Sequence, residues 1–197
     1  MGGARLKPAR MARPVFITRR LRLRPLAAGD AKGLHAAYGD PVAMRFWDAA
    51  PSRDLAETRA RISANTPRHA AWAILSRDGK RFLGMINYHH REGWNRRLEV
   101  GYILAQPHWG RGLMHEALVP FLDYCFGTLA SHRVEATIDP ANTASRGLVE
   151  KLGFRREGLM RDRFCIEGKF RSVFMYALLA GEWQARRAAP RAGTGKR

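Results

Sequence analysis

Three groups of residues in this chain have types and spacings that could do chemistry. In the first, Gly110 and Gly112 flank Arg111 where a run of apolar residues with helical spacing begins. Two glycines at a helix start cost stability, so another requirement must favour them. Without Cβ atoms they admit left-handed backbone and let successive amides face one anion. The first N–H groups of a helix lack partners, and the macrodipole adds roughly half a positive charge there. Together these features suit a diphosphate, with Arg111 turned either to solvent or to the phosphates. Other phosphate motifs fail: there is no GxxxxGK[ST], and His115 stands where a GxGxxG needs its third glycine. The second group is Asn142, Ser145, Arg146 and Lys151, on and just before a short helical stretch after Asp139-Pro140. The third is His89 and His90 at the end of one apolar segment and Glu99 at the start of the next. An imidazole there could relay a proton. His108 and His115, beside the glycine loop, read as incidental.

The elements that must position these groups follow from periodicity. Residues 17–26 alternate and predict a strand with Leu21 and Leu23 on one face. Residues 28–38 and 52–65 predict helices, the second capped by Ser52 and carrying a Glu57–Arg61 pair at i,i+4. Strands at 70–76 and 81–90 meet across Asp78-Gly79, and 98–104 is the next strand. The loop 105–111 leads into a helix that reaches Phe126 and stops at Gly127, with a kink expected near Pro120. A strand at 133–138, a helix at 143–152 ended by Gly153, and a hairpin about Glu167-Gly168 complete the order. This predicts a mixed, mostly antiparallel α/β (α+β) sheet of about six to seven strands flanked by about four helices.

A chain of 197 residues with 46% hydrophobic content suits one domain with a sizeable core. We expect a basic tail at 1–14, a folded domain at 15–183 and a disordered basic tail at 184–197. The net charge is +18, and setting aside four cations in the first tail and five in the second leaves +9 on the domain. Such a field favours polyanions, whether RNA, a ribosome or a phosphate-rich cofactor, and also serves solubility. Cys125 and Cys165 lie in apolar runs without metal-ligand spacing, so both read as reduced core residues and no metal site is expected. No segment has the apolar length of a membrane span. The expected location is the cytoplasm.

"GYILAQPHWGRGLMHEAL" resembles the acetyl-CoA pyrophosphate loop of the GNAT N-acetyltransferases, and "NTASRGLVEKLGFRREGLMRD" resembles the family's next block, in its RimJ/RimL-type branch. "TRRLRLRPL" and "GMINY" resemble that branch too, so the likeness spans residues 16–180. It implies a GNAT fold. It also implies direct acetyl transfer from acetyl-CoA to a primary amine. Two departures stand out. Aligned on Gly112, Trp109 and Met114 hold the ends of the usual Q/R-x-x-G-x-G/A loop. The tyrosine that many members use as general acid is replaced by Val149.

The resemblance assigns cofactor contacts to the backbone of Ile103, Leu104 and Ala105, the loop Trp109, Gly110, Arg111, Gly112, Leu113 and Met114, and Asn142, Arg146 and Lys151. It implies that Ser145 helps protonate the leaving thiolate and that Glu99 is a general base acting through water. Asn142 and Ser145 are then expected to serve turnover more than folding. With no strong base evident, an α-amine fits better than a lysine, being ~14% rather than ~0.04% neutral at pH 7. The expected acceptor is the N-terminal α-amine of a protein of the ribosomal type. A polyamine or antibiotic acceptor and a non-catalytic ribosome-binding protein of the same fold are the alternatives, as monomer or homodimer.

Overall fold

The computed structural model describes residues 13–63 and 70–189. Eight strands form one sheet: β1 (Phe16–Ile17), β2 (Leu21–Pro25), β3 (Ala70–Ser76), β4 (Phe82–Glu92), β5 (Arg97–Leu104), β6 (Arg133–Ile138), β7 (Arg155–Ile166) and β8 (Lys169–Leu179). Their order is β1-β2-β3-β4-β5-β6-β8-β7, and the β5–β6 pair alone is parallel. One face packs under α4 (Leu113–Phe126), α5 (Thr143–Leu152) and α6 (Ala180–Ala188), around Trp72, Phe121 and Tyr176. The other carries α1 (Ala31–Tyr38), α2 (Pro41–Met44) and α3 (Leu55–Ser63), around Leu34, Met44 and Met85. β3 is buried along its whole length because Trp72 and Ile74 face one layer and Ala71 the other.

The mixed, mostly antiparallel sheet is as expected, with one strand and two helices more than the upper count. The segment 17–26 divides because Thr18 Oγ1 accepts from Leu21 N–H at 3.0 Å and turns the chain. Four-residue α2, with Pro41 in its first turn and Asp40 accepting from Val42 N–H at 2.9 Å, is too short to show a period. α6 carries the chain to Ala188, so residues 184–188 of the expected disordered tail are helical. Its anchor is buried Trp183, whose indole donates to Asp123 at 2.9 Å. Ser52 is not the cap of α3; Asp54 accepts from Glu57 N–H at 2.8 Å instead, while the Glu57–Arg61 pair forms at 2.9 Å. Pro120 lies inside α4, which continues past it. The turn at Glu167-Gly168 has both residues at positive φ, as a two-residue hairpin requires.

Cys165 corrects a further expectation. Cys125 is buried, but Cys165 sits exposed on β7, an edge strand with one open side. Burial pushes the Cys125 thiol up. DTNB should therefore label one thiol quickly in the native protein, Cys165, and reach Cys125 only on unfolding. Two fast thiols in native protein would contradict this packing.

Candidate active site

The site begins with a fork between two strands. The β5–β6 ladder covers Arg97–Glu99 against Arg133–Glu135 and then stops, although β5 runs on to Leu104 and β6 to Ile138. A charge network closes the paired end: Arg97 reaches Glu92 at 2.6 Å and Glu135 at 2.8 Å, and Arg133 reaches Glu135 at 2.7 Å and Glu157 at 2.5 Å. Beyond it β5 stays with β4 and β6 with β8, so the two strands separate. Ala105 N–H donates to Leu83 at 3.0 Å, and the Ile103 carbonyl points at Gly84, where a Cβ would meet it at 2.1 Å. Ile103 and Ala105 thus turn their backbone to β4. By strand alternation Tyr102 and Leu104 turn theirs to the gap. The Leu104 carbonyl accepts from the Trp109 indole at 2.7 Å.

A cavity of about 450 Å³ opens beside the gap. Of the residues the resemblance singled out, Ile103, Leu104, Trp109, Gly110, Gly112, Leu113, Met114, Asn142 and Ser145 line it, Ile103 with its backbone committed to β4. Gly110 and Gly112 have φ of +70° and +68°, and Gly112 is the N-cap of α4. Arg20 braces the loop from the β1–β2 turn. It pairs with Glu116 at 2.6 Å and donates to the Arg111 carbonyl at 3.0 Å. Ala105, Arg111, Arg146 and Lys151 are not on the wall. Arg146 donates to the Pro140 carbonyl at 3.1 Å and lies 5.5 Å over the Phe174 ring, which turns it from the cavity. Lys151 is exposed in the last turn of α5. His115, read as incidental, does line the cavity; burial and the nearby Lys151 and Arg186 lower its pKa.

Asn142 is the N-cap of α5, its Oδ1 accepting from Ser145 N–H at 3.1 Å. The hydroxyl of Ser145 lies 2.7 Å from that of Tyr102, which also lines the cavity. Burial pushes the Tyr102 phenol up to about 12. Asn142 therefore serves the fold as well as the cavity. Asn142→Ala should cost about 1 kcal/mol through the lost cap and lower the Tm by about 2–4 °C in a chain of this size. Asn142→Asp should restore the Tm. An unchanged Tm in the alanine variant, read by circular dichroism, would show that the cap contributes nothing.

A second, smaller pocket of about 110 Å³ lies at the fork and includes Asp48, His89, His90, Glu99, Thr137 and Asp139, with Phe46 bordering both spaces. Consecutive strand residues point to opposite faces. Here the β4–β5 register breaks between His89 and Glu92, and His90 takes a φ of +50°. That bulge brings both imidazoles to one side, with ring centroids 4.8 Å apart. Glu99 accepts from Thr137 Oγ1 at 2.5 Å, and its other oxygen lies 3.6 Å from His89 Nε2. Burial alone would raise the Glu99 carboxyl. The bonds from His89 and Thr137 and the charges of both imidazoles outweigh it and hold the group at about 2. Sequence reasoning missed Tyr102, Phe46, Arg20 and Glu116. Only the position of Tyr102 beside Gly101, on the strand before the loop, could have pointed to it.

A family model described as acetyltransferase (GNAT) domain matches residues 20–155. Among curated relatives, the uncharacterized N-acetyltransferase p20 of Bacillus licheniformis is 31% identical over 84% of this chain and 96% of its own length. The ribosomal protein uS5-alanine N-acetyltransferase of Escherichia coli (strain K12) is 32% identical over 57% of this chain and 58% of its own. The spermidine N(1)-acetyltransferase of Vibrio cholerae is 26% identical over 83% and 95%. Among solved structures, a GCN5-related N-acetyltransferase from Brucella melitensis superposes with a TM-score of 0.78 at 25% identity, covering 88% of this chain and 81% of that one. No helix among the described residues is long and apolar enough to cross a membrane.

Proposed function

This chain belongs to the GNAT acetyltransferase family, as an acetyl-CoA-dependent N-acetyltransferase, and from that premise we propose that its acceptor is the α-amine of a protein N-terminus. The observation that carries this reading is the meeting of the two spaces at the strand fork, with the Glu99–His89 pair in the smaller one. The smaller pocket admits the end of a chain at the point where the two spaces meet. Acetyl-CoA supplies the activated acetyl group as a thioester. The glycine loop and the gap-facing backbone of Tyr102 and Leu104 hold its diphosphate and arm. A carboxylate held at about 2 is a weak base against an amine near ~7.8. Glu99 therefore acts through His89: the uncharged imidazole takes the ammonium proton, the Glu99 carboxylate 3.6 Å away stabilises the imidazolium that results, and exposed His90 passes the proton to solvent. The neutral amine attacks the carbonyl carbon, the C–N bond forms, and the C–S bond breaks with its electrons on sulfur. Ser145 donates to that sulfur.

The uS5-alanine relative supports the protein acceptor by its name. A small polyamine is the second reading, favoured by Asp48, Glu99 and Asp139 beside Trp47 and Phe164 in the acceptor pocket and by the spermidine relative. An acetyl-transfer screen decides between them. Peptides with free N-termini should exceed spermidine at least tenfold in kcat/KM, and the reverse order would install the polyamine.

A ribosomal acceptor, which would put the enzyme in the cytoplasm, also gives the basic surface a role. Docking on a polyanion releases counterions and weakens steeply with salt. Co-sedimentation with ribosomes should be strong at about 50 mM salt and lost by about 300 mM. A chain of residues 13–189, which keeps α6 whole, should bind ribosomes more weakly yet turn over a short peptide normally. Absence of binding at low salt would reduce the charge to a solubility feature.

A further inference from the structure

We propose that Tyr102 is a positioning residue for departure of the CoA sulfur, its phenol fixing the Ser145 hydroxyl so that the serine proton faces the cavity. Their oxygens are 2.7 Å apart, and both residues line the cavity. Either oxygen has the geometry to donate, and acidity decides. Among the described residues Ser145 Oγ is the one hydrogen-bond partner of the Tyr102 hydroxyl. The phenol is the stronger acid of the two hydroxyls, so its proton goes to Ser145. The serine proton is then left to point at the bound ligand. Both supports are rigid. Tyr102 stands opposite Ile86 on the β4–β5 ladder, and Ser145 is held in the first turn of α5 by Asn142. The phenol stays protonated through neutral pH because burial raises it. As the C–S bond breaks, Ser145 O–H gives its proton to sulfur, forming S–H. Tyr102 gives its proton to Ser145 Oγ, and the phenolate regains one from water once the product leaves. A hydroxyl unaided is a poor acid; hydrogen-bonded to a phenol, it can pass a proton on.

This inference rests on the proposed role of Ser145, and its test separates the two. Kd values for CoA and for desulfo-CoA are measured by calorimetry at pH 7 and pH 9.5. A free thiol ionises near ~8.5, so only CoA gains a thiolate between these values. The ratio of desulfo-CoA to CoA Kd should rise about tenfold over this interval in the wild type, about 1.4 kcal/mol of thiolate preference. It should rise less than twofold in Tyr102→Phe, in Ser145→Ala and in the double variant alike. The ratio cancels general losses of folding or affinity common to both ligands. A full rise in Tyr102→Phe with loss in Ser145→Ala would overturn the role of Tyr102. So would an extra loss on adding Tyr102→Phe to Ser145→Ala. A full rise in Ser145→Ala, or none in the wild type, would overturn the role of Ser145 and this inference with it.

Discussion

Replacing Gly112 by valine should raise the CoA dissociation constant at least tenfold, about 1.4 kcal/mol, in a protein that still folds. The reason is backbone shape rather than crowding. A Cβ at Gly112 would meet only the Arg20 guanidinium, at 3.8 Å, but φ there is +68°. Left-handed backbone costs an ordinary residue about 1–2 kcal/mol, and a β-branched one is a genuine outlier there. The loop would relax by turning its amides, and an anion cradle depends on their common direction. The new side chain would also stand on the cavity wall. Gly112→Ala should fall between the two. Calorimetry with CoA measures this, and unchanged affinity in a folded valine variant would remove residues 109–114 from cofactor binding.

Glu99→Gln should lower kcat by about 10²-fold or more, within the range for losing a general-base contribution. Its stability should show a second signature. The Glu99 carboxyl is held at about 2 in the fold against an ordinary 4.5. A depressed carboxyl stabilises the fold fully above its ordinary value, and the benefit is lost as pH falls through the folded one. The wild type should therefore exceed the variant at pH 7 by on the order of 3 kcal/mol. That advantage should shrink as pH drops from 4.5 towards 2. Urea denaturation at pH 7, 5, 4 and 3 measures it. A difference that stays constant with pH would show that the pairing with His89 and Thr137 does not act through charge. Normal turnover by the variant would remove Glu99 from the proton path.

Much of this was legible along the chain because it depends on neighbours in sequence. Glycines at 110 and 112 announce a left-handed turn at a helix start, since few other residues tolerate that backbone. The alternation of Leu21 and Leu23, the run 70–76, and the Glu167-Gly168 turn each carry a period or a turn chemistry of their own. Short α2 has no period to read, and α6 was hidden by basic residues on its exposed face around one buried tryptophan. Cys165 was misread because an apolar run does not say which strand lies at the sheet edge.

The sequence by itself determined that a strand delivers a glycine loop to a helix, that Asn142 opens a second helix, and that the chain resembles acetyl-transfer enzymes. Those are local properties of backbone freedom, capping and motif spacing. Tertiary structure alone decided the rest. It showed that β5 and β6 part after Glu99 while each stays paired with its outer neighbour, β4 or β8. It turned Arg146 onto Pro140 and Phe174 and away from the cavity. It brought His89 and His90 to one side through a bulge whose cost only the surrounding sheet can sustain. And it joined Tyr102 to Ser145 across 43 positions of sequence, a contact that exists because a strand and a helix N-terminus converge on one cavity, which no spacing along the chain encodes.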